Sequence, residues 1–195
     1  MLDRALGEMS VDAFEQVMAA ILELHGYWTK TSLHVELTKA QKRAIGRHSS
    51  PRWELDVVGY RGRDNHLLVL ECKSFMDSSG VRVATFETQA SDDHKRYKLF
   101  FERQLRDIVL GALVEQLESG KYCPPNPTVV LGLAAGKVHG DVKRLQAVFD
   151  EQGWELWRPD QIHKELVRLR DTKYENSIVS VVAKIITLGL PDESA

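Results

Sequence analysis

The 195-residue chain is poor in cysteine: Cys72 and Cys123 stand alone, without CxxC spacing. Two isolated thiols exclude a disulfide framework or a cysteine-based zinc site and fit a reducing compartment. Long apolar runs are missing as well. The best stretch, Ile178 to Leu190, is interrupted by Ser180, Lys184 and Thr187, well short of the ~20 residues a membrane helix needs. The first ten residues, MLDRALGEMS, mix acids and bases without an apolar core. No secretory signal and no membrane partner are therefore expected, and the chain reads as cytoplasmic. Nor is there an excess of one charge, since 26 Lys+Arg oppose 28 Asp+Glu for a net −2. That balance excludes a protein held to nucleic acid by bulk charge, so an anionic partner must be met by a local patch. Repeats and low-complexity segments are lacking. The hydrophobic fraction of 43% belongs to an ordinary globular chain.

The length suits one domain over 1–195, with a core at about 10–158 and a helical extension over 159–195. A first helix is expected from Val11 to His25, with Ser10 as N-cap, Gly26 as stop and a buried stripe of Phe14, Val17, Met18, Ile21 and Leu22. A strand near Ser32–Leu37 and a polar basic stretch to Arg52 follow. Trp53–Tyr60 and His66–Lys73 read as strands joined by the turn RGRDN. After a Ser/Gly loop, Ser91 or Asp92 can cap one long helix to about Ser119, with Tyr97, Phe101, Leu105, Ile108 and Leu113 among its apolar positions. Thr128–Ala134 is a continuously apolar strand. A helix over Asp141–Gln152, a strand over Trp154–Arg158 and helices near Gln161–Leu169 and Tyr174–Leu188 complete the chain. The order αβββαβ, then αβαα, implies an α/β (α+β) domain, a mixed sheet flanked by helices.

The hairpin carries the chemistry. Alternation puts Trp53, Leu55 and Val57 on one face and Glu54, Asp56 and Val58 on the other. Pairing Asp56 with Glu71 also pairs Val57 with Leu70, Val58 with Val69, and Glu54 with Lys73. One face becomes wholly apolar and the other gathers Glu54, Asp56, Glu71 and Lys73, whereas a one-residue slip sets Asp56 against Leu70. Two opposed carboxylates repel, and a hard divalent cation relieves them. Mg²⁺ takes one or two carboxylates together with waters and phosphate oxygens. Metal so bound generates hydroxide and stabilises phosphoryl charge, and Lys73 could orient the water or stabilise the transition state.

Asp56, fourteen intervening residues and then Glu71-Cys72-Lys73 resemble the PD-(D/E)XK restriction-endonuclease-like nuclease superfamily. Phe14-Glu15 and Gly26-Tyr27 look similar to its Mrr-type branch. The resemblance covers about Ser10 to Ala134 and extends to the αβββαβ order. Leu55 stands in place of the proline of the family name, and the Gly-rich run usual before the aspartate in Mrr-type members is missing. The resemblance implies a metal-dependent phosphodiesterase acting on nucleic acid, DNA before RNA, in restriction, repair or defence. It implies Mg²⁺ or Mn²⁺ on Asp56, Glu71 and the Cys72 carbonyl, catalysis assisted by Lys73, and an accessory acid from the first helix. Glu15 matches that acid, since it lies seven residues before Leu22 on the flank of the buried stripe and can reach a site at the sheet edge.

Lys39, Lys42, Arg43, Arg47 and Arg52 form a run without an acid and could hold a phosphate backbone. Lys95 opens the helix after the ExK motif with the same prospect. Gly132 to Val138 imitates a phosphate loop but lacks its spacing and its hydroxyl, so it reads as a plain connection. Cys72 should face the core as an unreactive thiol. The alternative class is a catalytically inactive nuclease-fold module that binds nucleic acid or protein; a carboxylate-pair glycosidase accommodates Lys73 poorly. The helices after Pro159 either form a homodimer or cover the sheet. Ile178, Val181, Val182, Ile185 and Ile186 pack in both cases.

Overall fold

A computed structural model describes residues 12–46, 52–88, 92–171 and 177–187. Helix α1 (Ala13–Leu24) leads into strand β1 (Trp28–Glu36), the short helix α2 (Lys39–Ala44), and the hairpin of β2 (Arg52–Arg61) and β3 (His66–Lys73). Then come β4 (Val81–Arg82), α3 (Val83–Thr88), a 3-10 turn (Asp92–Arg96), α4 (Lys98–Phe101) and α5 (Arg103–Ser119). The chain ends through β5 (Thr128–Ala135), β6 (Val138–His139), α6 (Val142–Gln152), β7 (Glu155–Trp157), α7 (Pro159–Arg170) and α8 (Ile178–Thr187).

The main sheet has the order β1-β2-β3-β5-β7; its first three strands are antiparallel, and β5 and β7 run parallel to β3. It is a mixed sheet covered on both faces. Met18, Ile21 and Leu22 of α1 pack with Val57, Leu68 and Leu70 and with Ile162 and Leu169 of α7 on one side. On the other, Leu105, Val109 and Leu113 of α5 and Leu145 and Phe149 of α6 pack with Val58, Leu67 and Val69. Burying one such aliphatic side chain is worth about 1.5–3 kcal/mol. Among the described residues, no helix is long and apolar enough to cross a membrane.

Several boundaries differ from the sequence expectation. The N-cap of α1 is Asp12, whose carboxylate accepts from the Phe14 and Glu15 amides at 2.8 and 3.3 Å; Ser10 lies outside the described residues. The first strand begins at Trp28, and part of the basic stretch is helical, α2 being closed by the Thr38–Gln41 capping box. The long helix to Ser119 is interrupted at Tyr97 and Glu102, neither of which has a helical backbone. Phe100 and Phe101, the last residues of α4 before the break, both approach Phe86, with ring centroids 5.7 and 5.3 Å away. Arg106 Nη1 then donates to the freed Leu99 and Phe100 carbonyls at 3.2 and 3.0 Å. The last helix starts at Ile178, and of the apolar face read as covering the sheet or joining a homodimer only Val181 is half-buried on this chain. Ile178, Val182, Ile185 and Ile186 are exposed, while Ser180 and Ala183 are buried, small residues allowing close approach.

The largest correction concerns the hairpin faces. The register has Val57 opposite Leu70 and Val58 opposite Val69, as the pattern requires. Yet Leu55 packs with Val58 on the α5 side, not with Val57 on the α1 side. Strand β1 carries the reason. Ser32 has φ +48°, and the β1–β2 ladder pairs Thr31 with Val57 and Leu33 with Leu55 while skipping Ser32 and Asp56. The left-handed residue reverses the pleat there. Neither face of the hairpin is polar, and the acids sit where the alternation reverses.

Candidate active site

Asp56 occupies that reversal on β2. The β2–β3 ladder stops at Val57 and Leu70, and the Asp56 side chain takes over beyond it. Its Oδ2 accepts from the Cys72 amide at 2.7 Å. Lys73 Nζ lies 2.6 Å from Glu71 Oε1 and 3.5 Å from the same Asp56 oxygen. The ammonium thus bridges the two carboxylates, with all three side chains about one-fifth exposed. Burial holds the Glu71 carboxyl above its ordinary range and the Asp56 charge adds to this, while Lys73 pulls the other way. Burial also works against the Lys73 ammonium, but Glu71 and Asp56 outweigh it and raise the lysine pKa.

Glu15 comes from α1, where Asp12 fixes the first turn and aims this side chain at β1. It is 8% exposed, and the Ser32 hydroxyl donates to its Oε2 at 3.1 Å. Its pKa is raised to about 7, first by burial, then by the Asp56 charge, against a lowering from the Ser32 hydrogen bond. Ser32 therefore both reverses the pleat beside Asp56 and holds the acid that senses it. Nothing in the sequence singled out Ser32, because a positive φ at serine is imposed by its surroundings.

Three of the residues chosen from sequence are thus brought together, Asp56, Glu71 and Lys73, while Glu15 is held by Ser32 and feels the Asp56 charge. Glu54 is not among them, since its carboxylate lies 3.4 Å from His34 Nε2 across β1. Cys72 packs toward the α1 side, and burial with nearby acids keeps its thiol well above the usual range, as an unreactive cysteine requires. Lys39, Lys42 and Arg43 lie along α2. Arg52 is committed to Glu36, Nε to Oε1 2.8 Å, across the β1–β2 ladder. Lys95 sits in the exposed 3-10 turn, and Arg47 lies outside the described residues. Tyr97, read from sequence only as a core position, is buried within electrostatic reach of Lys73 and Glu71.

Among the described residues, no three His, Cys, Asp or Glu side chains form a metal-binding group. The two carboxylates sharing Lys73, with the Cys72 carbonyl between them in sequence, are a hard oxygen donor set. Mg²⁺ needs no more protein ligands than these, since it keeps waters and takes substrate oxygens.

No family model matches the chain, and no curated protein matches it. Among solved structures it is similar to the crystal structure of a protein of unknown function, AF1548. The two share 12% identity with a TM-score of 0.44, over 88% of this chain and 76% of that one.

Proposed function

We propose that the protein is a divalent-metal-dependent phosphodiesterase of the PD-(D/E)XK type acting on nucleic acid, with DNA as the first substrate to test. The observation that carries this reading is the convergence of Asp56, Glu71 and Lys73 from two neighbouring strands, within 3.5 Å of one ammonium nitrogen. Glu15 of α1 feels the Asp56 charge. The order αβββαβ with an acid on the first helix supports the same reading, as it is the arrangement the resemblance implies.

Asp56, Glu71 and the Cys72 carbonyl would hold Mg²⁺ or Mn²⁺, with Glu15 as an accessory acid. The bound cation would supply a water of lowered pKa and charge stabilisation at the phosphoryl oxygens. Lys73 remains an ammonium at neutral pH, so it acts as a donor, orienting the water and stabilising the developing negative charge. The Cys72 amide holds the Asp56 carboxylate in place, and Ser32 does the same for Glu15.

The test is cleavage of supercoiled, linear and single-stranded DNA and of RNA with Mg²⁺ or Mn²⁺. Asp56→Ala and Lys73→Ala should each lower the rate at least a hundredfold, and EDTA should abolish it. Absence of cleavage on every substrate, or variants as active as the parent, would overturn the proposal. Calorimetric titration with Mg²⁺ separates it from a binding-only module, which need not take metal at Asp56 and Glu71.

A further inference from the structure

One residue after Lys73 the chain enters a loop, Ser74 to Gly80, that is pinned from the strand beside it. The Gly136 amide donates to the Lys73 carbonyl at 2.9 Å, the Val81 amide to the Lys137 carbonyl at 2.9 Å, and Lys137 Nζ to the Ser78 carbonyl at 2.7 Å. Gly80 has φ +93°, and a Cβ there would meet the Lys137 carbonyl oxygen at 2.7 Å. This position admits only glycine, and it presses the loop onto its support. Between the loop and the 3-10 turn lies a notch of about 120 Å³, lined by Ser78, Ser79, Arg82, Asp93, Arg96 and Tyr97 with Phe75 and Gly80.

The lining is rich in donors. Arg96 makes no ion pair among the described residues, and its guanidinium stands over the Phe75 ring, 6.0 Å from the centroid. Arg82 Nη1 lies 4.0 Å from Asp93, the one acid of the lining. The Tyr97 hydroxyl makes no hydrogen bond among the described residues. Burial pushes its pKa up to about 12, so it remains an O–H donor. The Ser78 hydroxyl is engaged, donating to the Phe75 carbonyl at 3.2 Å, which leaves two guanidiniums, the Ser79 hydroxyl and a phenol against a single carboxylate, a set suited to an oxyanion. Size narrows the ligand. The notch is small, about 120 Å³, and accommodates a tetrahedral phosphate group.

We infer that this notch is a phosphate subsite, taking a phosphate of the substrate adjacent to the one cleaved over Asp56, Glu71 and Lys73. The substrate part of the inference rests on the function proposed above; phosphate binding does not. Tyr97 joins the two sites, lining the notch while lying within electrostatic reach of Lys73. The phosphate is either a monoester at a strand end or an internal diester.

The experiment uses the full chain in EDTA, titrated with inorganic phosphate and read by amide NMR shifts at Ser78, Ser79 and Gly80. Saturable shifts are expected at millimolar phosphate in the wild type and equally in Asp56→Asn. Arg96→Ala should weaken binding at least fivefold, and Arg96→Lys should restore part of it. Labelled oligonucleotides ending in 5′-phosphate, 3′-phosphate or hydroxyl then separate the sources. A preference for one phosphorylated end, lost in Arg96→Ala, assigns a terminal monoester. Equal binding of all three, equally weakened in Arg96→Ala, assigns an internal diester. No saturable shift in the wild type, or unchanged binding in both Arg82→Ala and Arg96→Ala, overturns the subsite. Phosphate binding by a protein that cleaves nothing keeps the subsite and removes the nuclease reading; cleavage without phosphate binding does the reverse.

Discussion

Glu15 is a carboxylic acid packed under a sheet edge, and its neighbours decide when it ionises. Burial and the Asp56 charge raise its pKa from 4.5 to about 7, so the folded protein keeps a proton that the unfolded chain releases near pH 4.5. Between those values the native state binds more protons, and stability falls as pH rises through the window. The benefit is complete below pH 4.5 and gone above about 7. Glu15→Gln keeps the shape and the Ser32 partner without the ionisation. Urea unfolding in EDTA should show the variant more stable than the parent at pH 8 by about 1–3 kcal/mol, with no advantage at pH 4.5. Equal pH dependence in both proteins would contradict the assignment. Lys73 poses the opposite problem, because removing it strands two neighbouring acids. Lys73→Met should cost about 1–3 kcal/mol, discounted for the solvent that reaches the pair. The double variant Glu71→Gln/Lys73→Met should lose less than the two single losses added together, a coupling that a double-mutant cycle measures directly.

At the scale of elements, the break between α4 and α5 depends on one side chain. Arg106 satisfies the Leu99 and Phe100 carbonyls released at Glu102, and its guanidinium stands over the Trp154 ring at 5.6 Å. Arg106→Leu leaves both carbonyls without that donor, and a loss of about 1–3 kcal/mol is expected in chemical denaturation. An unchanged midpoint would mean that water replaces the guanidinium at no cost. This break also marks where the sequence stopped being readable. The hairpin register and the α1 stripe were legible because they follow from periods of 2 and 3.6 acting within single elements. Tyr97, Phe101 and Leu105 satisfy the helical period as well as any continuous helix would. What divides them is the non-helical backbone at Glu102, which no period within a single element announces. The pleat reversal was hidden for a similar reason: Ser32 has no local preference for φ +48°, and alternation carried through Asp56 put Leu55 on the wrong side. In α8 the apolar residues run nearly all round, so the pattern could not show that Ser180 and Ala183, rather than the isoleucines, face the core.

For the molecule as a whole, a net charge of −2 means that affinity for a polyanion must come from a small number of placed cations. Arg52 is paired with Glu36, which removes it from the basic run as a free charge. Lys39, Lys42 and Arg43 remain on α2, a helix fixed at its start by the Thr38–Gln41 capping box and carrying no buried residue. Each phosphate neutralised on duplex DNA contributes a slope of about −0.9 in log affinity against log salt. If these three residues meet three phosphates, α2 accounts for a slope of about −3, and each single alanine substitution should remove about 1 of it. Because α2 buries nothing, these substitutions should leave the unfolding midpoint in place, so weaker binding cannot be assigned to loss of fold. Arg52→Ala is the internal contrast, with a change in slope well below that of Lys42→Ala, since its charge is already spent on Glu36. Fluorescence anisotropy with a labelled duplex between 50 and 200 mM salt, metal withheld to prevent cleavage, measures all of these slopes. A slope unchanged in the Lys39→Ala/Lys42→Ala/Arg43→Ala variant would remove α2 from the proposed nucleic-acid surface and leave the proposed notch beside Lys73 as its remaining cationic contact.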